Sequence, residues 1–474
     1  MTITSSAGVF LAPKSVAVVG ATPDKGKLAS VILESMKNSA FGGNDHEQVM
    51  NDHEQVINVY AVNPKYKTID NAPCYSSISD IGEDIDVAIF AVPAAITPGL
   101  LRDCANRIKG AVIIGGGFGE AGAAGLALEQ EIKEIVRRTG VRVIGPNCMG
   151  IYDTISKLDT FFIPPERIKR PFAGGLSIIS QSGSFAVTAM DELSADGIGV
   201  ARVISYGNKA DVNESDCLDM LCDDTHTHAV ALYIESVDDG RRFVESARRC
   251  ALKKPVMAVK VGKTEVSATA ARSHTGAIAG RYEFYRAAFK KAGVIELNGY
   301  EDFMAACKVY GAKLPVVNGK RVMIITDGGG IGVALADECA AQGLSMPLPG
   351  AELEKPLGKI FPPYVAVSNP VDLTGSVSDE MYADALETAM TGTAYDMAIV
   401  AVLWGPPGLT DKLPAMLAQK AVVFKKPVII CSPGGQYTRE RVRLFENCGL
   451  PVFPAPVGAV RAAALLAKGA RQRQ

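Results

Sequence analysis

KSVAVVGATPDKGKLASVIL, residues 14–33, consists of a short apolar run, a turn rich in glycine and proline, and a helix-like segment. The same order occurs in GGLSIISQSGSFAVTAMDEL (174–193) and in KRVMIITDGGGIGVALADECAAQG (320–343). Short runs rich in β-branched residues, each followed by an amphipathic stretch, predict parallel strands joined by helical crossovers. Three such openings predict an α/β protein made of three doubly wound units.

Two stretches are candidate boundaries between these units, and the first of them has little apolar periodicity. They are YDTISKLDTFFIPPERIKRPFAGG (152–175) and GAKLPVVNGKR (311–321). A chain of 474 residues is also too long for a single core. We therefore expect three domains, at 1–150, 151–312 and 313–474.

Composition excludes several classes of function. The 47 glycines and 7% aromatic residues are typical of tightly wound α/β proteins, and a net charge of −2 gives no case for binding nucleic acid or an anionic membrane. No apolar run approaches the roughly 20 residues of a membrane span, and the amino terminus does not resemble a signal peptide. Ten scattered cysteines without a CxxC pair predict reduced thiols in a cytoplasmic protein.

Two groups of histidines could be interpreted as metal ligands. NDHEQV occurs twice between residues 42 and 60, so His46 and His53 each stand beside acidic residues, and His226 and His228 lie in THTH. A duplicated polar loop is the better interpretation of the first group, because loops tolerate insertions. The second group lacks convergent ligands at the usual spacing, so we predict no metal site.

The first turn, GATPDKG (20–26), offers backbone N–H groups at a helix start, which suits a phosphate. It matches neither GxGxxG nor a Walker A motif. Lys65, in YAVNPKY, stands where a NAD site needs an acidic residue. A lysine suits a phosphorylated ribose, as in NADP or coenzyme A, although a doubly wound domain without a ligand remains the alternative.

A histidine also stands among small residues in ATAARSHTGAIAG (268–280). His274 has no bulky neighbours in sequence to pack its ring, and glycines loosen the backbone around it. By itself this pattern favours a solvated loop histidine as much as a functional one.

Seven motifs together resemble the α-type subunit of NDP-forming acyl-CoA synthetases, the superfamily of succinyl-CoA synthetase and ADP-forming acetyl-CoA synthetase. In chain order they are SVAVVGAT…GK (15–27), VNPKY (62–66), GPNCMGIY (145–152), SQSGSFA (180–186), YIES (233–236), SHTGAIAG (273–280) and NPVDLTG (369–375). The resemblance implies a Rossmann-like CoA-binding domain followed by two flavodoxin-like domains. It implies an acid–CoA ligase that works through acyl-phosphate and phosphohistidine intermediates.

The resemblance also assigns site residues. His274 would carry the phosphate, Glu235 would hold its ring, and Ser182 and Gly183 would begin the helix that receives the phosphate. A carboxylate on the second ring nitrogen fixes the tautomer, and a loop of small residues allows the ring to move. The implied CoA contacts are Gly20, Thr22, Lys27, Asn63, Pro64, Lys65, Val92, Pro93 and Asn147.

The sequence after the third unit ends at AALLAKGARQRQ, which leaves no room for an ATP-grasp domain. We therefore expect a separate ATP-grasp β subunit that binds ATP or ADP with Mg²⁺, in an assembly that the family suggests is α₂β₂. The remaining substrates would be a carboxylic acid, CoA and phosphate.

Three alternatives remain. An NADP-dependent oxidoreductase would use Lys65 but leaves His274 unexplained. A serine hydrolase would use SQSGS (180–184), which lacks the outer glycines of G-x-S-x-G. A non-catalytic CoA-binding protein would not need both Glu235 and His274.

Cys148 could be a nucleophile, but a small residue packed beside the CoA site is the better interpretation.

Overall fold

The computed structural model describes residues 6–40, 57–267 and 281–472, except for residues 316, 318, 364 and 366. The duplicated NDHEQV segment lies outside these residues. Contacts divide the chain into two compact units. The first comprises Met1–Ser194 and Gly199–Glu296, and the second comprises Ala195–Ile198 and Leu297–Gln474.

The first unit begins with a seven-stranded sheet of order β3-β4-β2-β1-β5-β6-β7. Every pairing in it is parallel except that of β3 with β4. The chain passes to opposite sides of β1, so the topological switch point lies between β1 and β5. The strands are β1 Ser15–Val19, β2 Asn58–Val62, β3 Thr68–Ile69, β4 Ala72–Tyr75, β5 Ile85–Phe90, β6 Ile108–Ile113 and β7 Arg142–Ile144, and the helices are α1 Leu28–Ala40, α2 Thr97–Cys104 and α3 Ala123–Thr139.

A six-stranded sheet of order β13-β12-β11-β9-β10-β8 follows. β9 pairs in parallel with both β10 and β11, which places a second switch point between β9 and β11. Its elements are β8 Gly150–Asp153, β9 Ala173–Ser180, α4 Gly183–Ala195, β10 Val200–Ser205, α5 Glu214–Cys222, β11 Ala229–Ile234, α6 Gly240–Ala251, β12 Val256–Lys260, α7 Tyr282–Ala292 and β13 Ile295–Leu297.

The first two sheets share one apolar core. A single cluster of buried side chains includes Val112 and Ile144 from the first sheet and Ile179 and Ile204 from the second. An ion pair between Arg142 and Asp211 also joins the two sheets. A guanidinium nitrogen of Arg142 lies 2.8 Å from a carboxylate oxygen of Asp211. These contacts bring the carboxyl ends of both sets of strands within reach of a common cavity.

The second unit has its own core and an all-parallel five-stranded sheet of order β15-β14-β16-β17-β18. Its strands are β14 Val322–Thr326, β15 Val371–Asp372, β16 Met397–Ala401, β17 Val428–Cys431 and β18 Val452–Phe453. Its helices are α8 Tyr300–Gly311, α9 Gly329–Ala341, α10 Ala351–Ile360, α11 Asp379–Thr391, α12 Leu413–Phe424, α13 Gln436–Asn447 and α14 Pro456–Gln472.

Three parallel-rich sheets confirm the predicted fold class. Each quoted opening contains the expected strand, turn and helix, namely β1–α1, β9–α4 and β14–α9. The exact domain boundaries stay a prediction, and the contacts group α8 with the third sheet. None of the described helices has the length and apolarity needed to cross a membrane.

Candidate functional site

A cavity of about 510 Å³ opens in the first unit, where loops from the first two sheets meet. The first sheet's side contributes apolar groups, the carboxylate of Glu129 and the amide of Asn147, and the second sheet's side is mostly polar. The lining residues are Ile114, Gly119, Leu126, Glu129, Asn147, Cys148, Met149, Phe162, Gln181, Ser182, Gly183, Ser184, Gly207, Asn208, Lys209, Glu235, Ser236 and Asp238.

The amino-terminal end of α4 points polar groups at this cavity. Gly183 is the first residue of the helix, and the first N–H groups of any helix lack partners within it. The Ser182 hydroxyl lies 3.2 Å from the Ser184 hydroxyl and accepts a hydrogen bond from the Phe185 N–H at 3.3 Å. A Cβ at position 183 would stand 3.0 Å from Cγ of Met149, so glycine lets this side chain pack on the helix start. Backbone donors and two hydroxyls make this end suitable for a phosphate.

Glu235 follows β11 directly, across the switch point from α4, and is buried. Its position is fixed through Gln181, whose side-chain oxygen accepts hydrogen bonds from the N–H groups of Glu235 and Ser236, both at 3.0 Å. The Gln181 amide nitrogen donates to the Ser236 hydroxyl at 3.3 Å. Gln181 also directly precedes Ser182, so one residue links the loop of Glu235 to the start of α4.

Lys209 supplies a positive charge to the same cavity, although no motif singled it out. Its backbone is left-handed, with a φ of 52°, and its side chain is buried. The ammonium donates to the Ser236 carbonyl at 2.9 Å and lies 3.1 Å from an Asp238 carboxylate oxygen and 3.7 Å from one of Glu214. Lys209 therefore provides a second contact, besides those of Gln181, that holds the loop after β11.

The amide side chains of Asn147 and Asn208 join the two walls of the cavity. The Asn147 amide nitrogen donates to the Asn208 side-chain oxygen at 3.3 Å. The Asn208 amide nitrogen donates to Glu120 at 2.6 Å and to Glu129 at 3.2 Å. Burial disfavours the charged form of Glu120, but hydrogen bonds from Asn208 and from the Gly117 N–H lower the pKa of its carboxyl below the usual value. Two carboxylates thus orient Asn208.

A glycine allows the loops at the first switch point to pack closely. Gly20 follows β1 with a φ of +94°, and its N–H donates to the Val62 carbonyl at 2.9 Å. A Cβ there would stand 2.7 Å from both the Ala91 carbonyl oxygen and a methyl group of Val92. Only glycine therefore allows the loops after β1 and β5 to approach this closely.

The turn into α1 and the loop after β2 hold each other in place. The Asn63 amide nitrogen donates to the carbonyl of residue 21 at 2.8 Å, and its side-chain oxygen accepts from the Lys65 N–H at 3.0 Å. The Thr22 hydroxyl accepts from the Asp24 N–H at 3.3 Å, and the Lys27 N–H donates to the Asp24 carbonyl at 3.0 Å. Both lysines are exposed at this carboxyl edge of the sheet.

The predicted site residues thus fall into two groups. The cavity brings together Asn147, Ser182, Gly183 and Glu235. The remaining predicted CoA contacts lie outside the cavity lining, along the carboxyl edge of the first sheet: Gly20, Thr22, Lys27, Asn63, Pro64, Lys65, Val92 and Pro93.

The two groups are connected through the strand ends. A Cβ on Gly115 would stand 2.9 Å from the Val92 carbonyl, and the Asn147 N–H donates to the Gly115 carbonyl at 3.0 Å. The edge beginning at the first turn therefore continues into the cavity.

His274 lies outside the described residues. Cys148 lines the cavity, but its thiol is buried, hydrogen-bonded to the carbonyl of residue 113 at 3.3 Å, and burial raises its pKa to about 12. Such a thiol is a poor nucleophile. His226 and His228 are exposed in the loop that enters β11, at the edge opposite the cavity, and the described residues contain no group of three or more potential metal ligands.

Three family models match the chain in order. They are a CoA binding domain at residues 14–154, a succinyl-CoA ligase-like flavodoxin domain at 173–310 and a Ligase-CoA domain at 322–471. The α subunit of ADP-forming acetate–CoA ligase I from Pyrococcus furiosus is 34% identical over 467 residues, which cover 96% of this chain and 96% of that subunit. The chain belongs to the NDP-forming acyl-CoA synthetase superfamily.

Other members of the superfamily agree in sequence and in structure. ADP-forming acetate–CoA ligase I from Archaeoglobus fulgidus is 36% identical over 459 residues, and this chain spans 62% of its length. Acetyl-coenzyme A synthetase 1 from Ca. Korarchaeum cryptofilum, solved in complex with phosphate and ADP, is 32% identical. The two superimpose with a TM-score of 0.86 over 98% of this chain and 96% of that one.

Proposed function

We propose that this chain is the α subunit of an ADP-forming acid–CoA ligase, which joins a carboxylic acid to CoA at the expense of ATP. The observation that carries the proposal is the cavity in which the start of α4, with Ser182 and Gly183, faces Glu235 beside the edge of the CoA binding domain. The membership of the superfamily supplies the reaction class.

In the proposed reaction the His274 ring takes the γ-phosphate of ATP and releases ADP. The phosphate then passes from the ring nitrogen to a carboxylate oxygen of the acid, which gives an acyl phosphate and restores the free ring. Attack of the CoA thiolate on the acyl carbon forms the thioester and expels inorganic phosphate, so the atoms balance over the three steps.

The described residues suit the two steps at the cavity. The α4 amino terminus, with the Ser182 hydroxyl, presents donors to the phosphate oxygens. Glu235, fixed by Gln181 and by the Lys209 contact to Ser236, would accept a hydrogen bond from the second ring nitrogen and stabilise the charged imidazolium. The apolar wall that includes Met149 limits the water that can reach an acyl phosphate.

CoA would bind along the carboxyl edge of the first sheet, with its phosphates at the turn into α1 and Lys65 beside one of them. The edge leads through Gly115 to Asn147 at the cavity, a path along which the thiol arm could reach the acyl phosphate. ATP and Mg²⁺ would be bound by an ATP-grasp β subunit, in an α₂β₂ assembly. The relative from Pyrococcus furiosus is itself named as a subunit alpha.

The ten free cysteines agree with a reducing cytoplasm.

The test is to incubate the α chain and its β subunit with γ-labelled ATP. We expect a protein label that is acid-labile and base-stable, as phosphohistidine is. His274→Asn should lose both the label and the ligase activity while keeping CoA binding, and Glu235→Gln should keep the fold and lose about 10²–10⁴-fold in rate.

His226→Asn is the matched control, because His226 is an exposed loop histidine at the opposite edge of the sheet. It should leave the label and the rate unchanged. Acyl-CoA formation at an ordinary rate by His274→Asn would refute the mechanism. Stabilisation of the chain against unfolding by NADPH but not by CoA would favour an oxidoreductase. Labelling of Ser182 by a fluorophosphonate would favour a hydrolase.

A further inference from the structure

Lys260, the last residue of β12, is a buried cation outside the cavity lining. The residue as a whole is 1% exposed. Lysine is almost never buried to this extent without compensation, because the ammonium loses its hydration. Its Nζ atom donates to the carbonyl of the next residue, Val261, and lies 4.7 Å from the centre of the Tyr285 ring. Neither contact supplies a negative charge.

Among the described residues, the carboxylate of Glu235 is the negative charge that raises the pKa of the Lys260 ammonium. β11 and β12 are neighbours in register, with Ile234 opposite Lys260, so Glu235 follows immediately after the paired residue. The Val261 N–H donates to the Ile234 carbonyl at 3.1 Å, which fixes this alignment at the ends of the two strands.

Tyr285 on α7 contacts both Lys260 and the loop after β11. Its ring lies over the Lys260 ammonium, and its hydroxyl oxygen accepts a hydrogen bond from the Val237 N–H at 3.3 Å. The same aromatic side chain therefore contacts the cation and the loop that carries Glu235.

Several other titratable groups surround this pair. Near Lys260, Lys263 repels the ammonium. Near Glu235, burial raises the pKa of the Tyr206 and Tyr233 hydroxyls, so both rings are neutral at physiological pH. Lys209 contacts the loop after β11 but is itself matched by the carboxylates at 214 and 238.

Burial lowers the pKa of Lys260 to about 8, Glu235 opposes this lowering and Lys263 adds to it. A pKa near 8 leaves the ammonium mostly charged at neutral pH, and a positive charge near a carboxyl group favours the ionised form of that group. A neutral side chain at position 260 would remove that stabilisation, and Glu235 would take up a proton more readily as the pH falls.

We propose that Lys260 is a positioning residue whose buried ammonium keeps Glu235 ionised, so that Glu235 can hold the ring of the phosphorylated histidine. This inference rests on the proposed function, because it assigns Lys260 a task only if Glu235 is the partner of His274. Lys260 itself lies outside the cavity lining, so it would act through Glu235.

The experiment measures the rate of labelling by γ-labelled ATP between pH 5 and pH 9 in the complete complex. For Lys260→Met we expect the acid limb of the profile, which belongs to the coupled His274–Glu235 pair, to move up by about one pH unit. Lys260→Arg keeps a positive charge and should keep the wild-type acid limb. Lys254→Met is the matched control, since Lys254 is also buried in this domain but donates to the carbonyls of residues 221 and 224, both at 2.8 Å.

A Lys260→Met profile with an unchanged acid limb would overturn the inference, as would an equal shift in Lys254→Met. If Lys260→Met does not fold, Lys260→Gln gives the same comparison, because it too removes the charge while keeping a polar end. Absence of any His274 label in the wild-type complex would instead refute the proposed function, so the two failures are distinguishable.

Discussion

Replacement of Gln181 by methionine tests how firmly the loop of Glu235 is held. Methionine keeps nearly the same volume but removes the acceptor shared by the N–H groups of Glu235 and Ser236. Both N–H groups are buried, and leaving one such group unsatisfied costs about 1–3 kcal/mol. We therefore expect the free energy of unfolding of the first unit to fall by about 2–6 kcal/mol.

Catalysis should suffer as well, because Glu235 would no longer be fixed relative to the start of α4. A displacement of the order of 1 Å can cost about 10²-fold in rate, so we expect kcat to fall about 10–100-fold. The dissociation constant for CoA should stay the same, since the predicted CoA contacts depend on the first sheet. Calorimetry with CoA and steady-state kinetics of the complex measure the two quantities separately.

The stability of each of the two units can be measured separately. The chain contains one tryptophan, Trp404, which is buried in the second unit. Urea unfolding followed by circular dichroism should therefore show an earlier transition in Gln181→Met, while the transition of Trp404 fluorescence stays unchanged. Gln342→Met, at an exposed position just after α9, is the matched control. Unfolding within about 0.5 kcal/mol of wild type, with normal kcat, would refute the role assigned to Gln181.

Three further predictions concern other parts of the first unit. Lys65→Glu should weaken CoA binding in calorimetry about tenfold or more, whereas Lys14→Glu, an exposed residue before β1 at the opposite edge of the sheet, should not. Gly207→Ala should lower the thermal unfolding midpoint by several degrees, because the φ of Gly207 is +58° and a Cβ there would stand 2.3 Å from the Pro146 carbonyl oxygen. An unchanged midpoint would contradict this. Iodoacetamide at pH 8 should modify the exposed Cys448 before Cys148, whose pKa is about 12, and Cys148→Ala should remain active.

The fold could be predicted because buried parallel strands appear in the sequence as continuous apolar runs. β1, β9 and β14 are buried along nearly all of their length, and each ends at a glycine-containing or serine-containing turn. Strand order could not be predicted in the same way, since it depends on which helices cross which face. It is this order, with β9 next to β11, that brings Ser182 and Glu235 to one cavity.

The residues that support the site gave weaker signals. Lys209 and Asn208 lie in YGNKADVNES, which the sequence presents as an ordinary polar turn, and nothing there indicates a buried ammonium or a left-handed backbone. Gln181 gave a usable signal, because a glutamine between two serines at the end of a buried strand lies at a carboxyl edge. Its contact with Glu235 is separated by 54 residues and depends entirely on the pairing of β9 with β11.

The two switch points of the first unit use different residues to connect their loops, and the difference follows from the ligand groups that each switch point would bind. Between β1 and β5, Gly20 has no side chain, so the loops after the two strands pack closely and backbone groups stay exposed at this edge. Between β9 and β11 the bridge is the Gln181 amide, a neutral group that satisfies buried N–H groups without adding charge beside Glu235. A charged residue at position 181 would compete either with Glu235 or with a phosphate at the start of α4. A neutral side chain with both an acceptor and a donor meets both constraints, so the identity of this residue follows from the chemistry on either side of it.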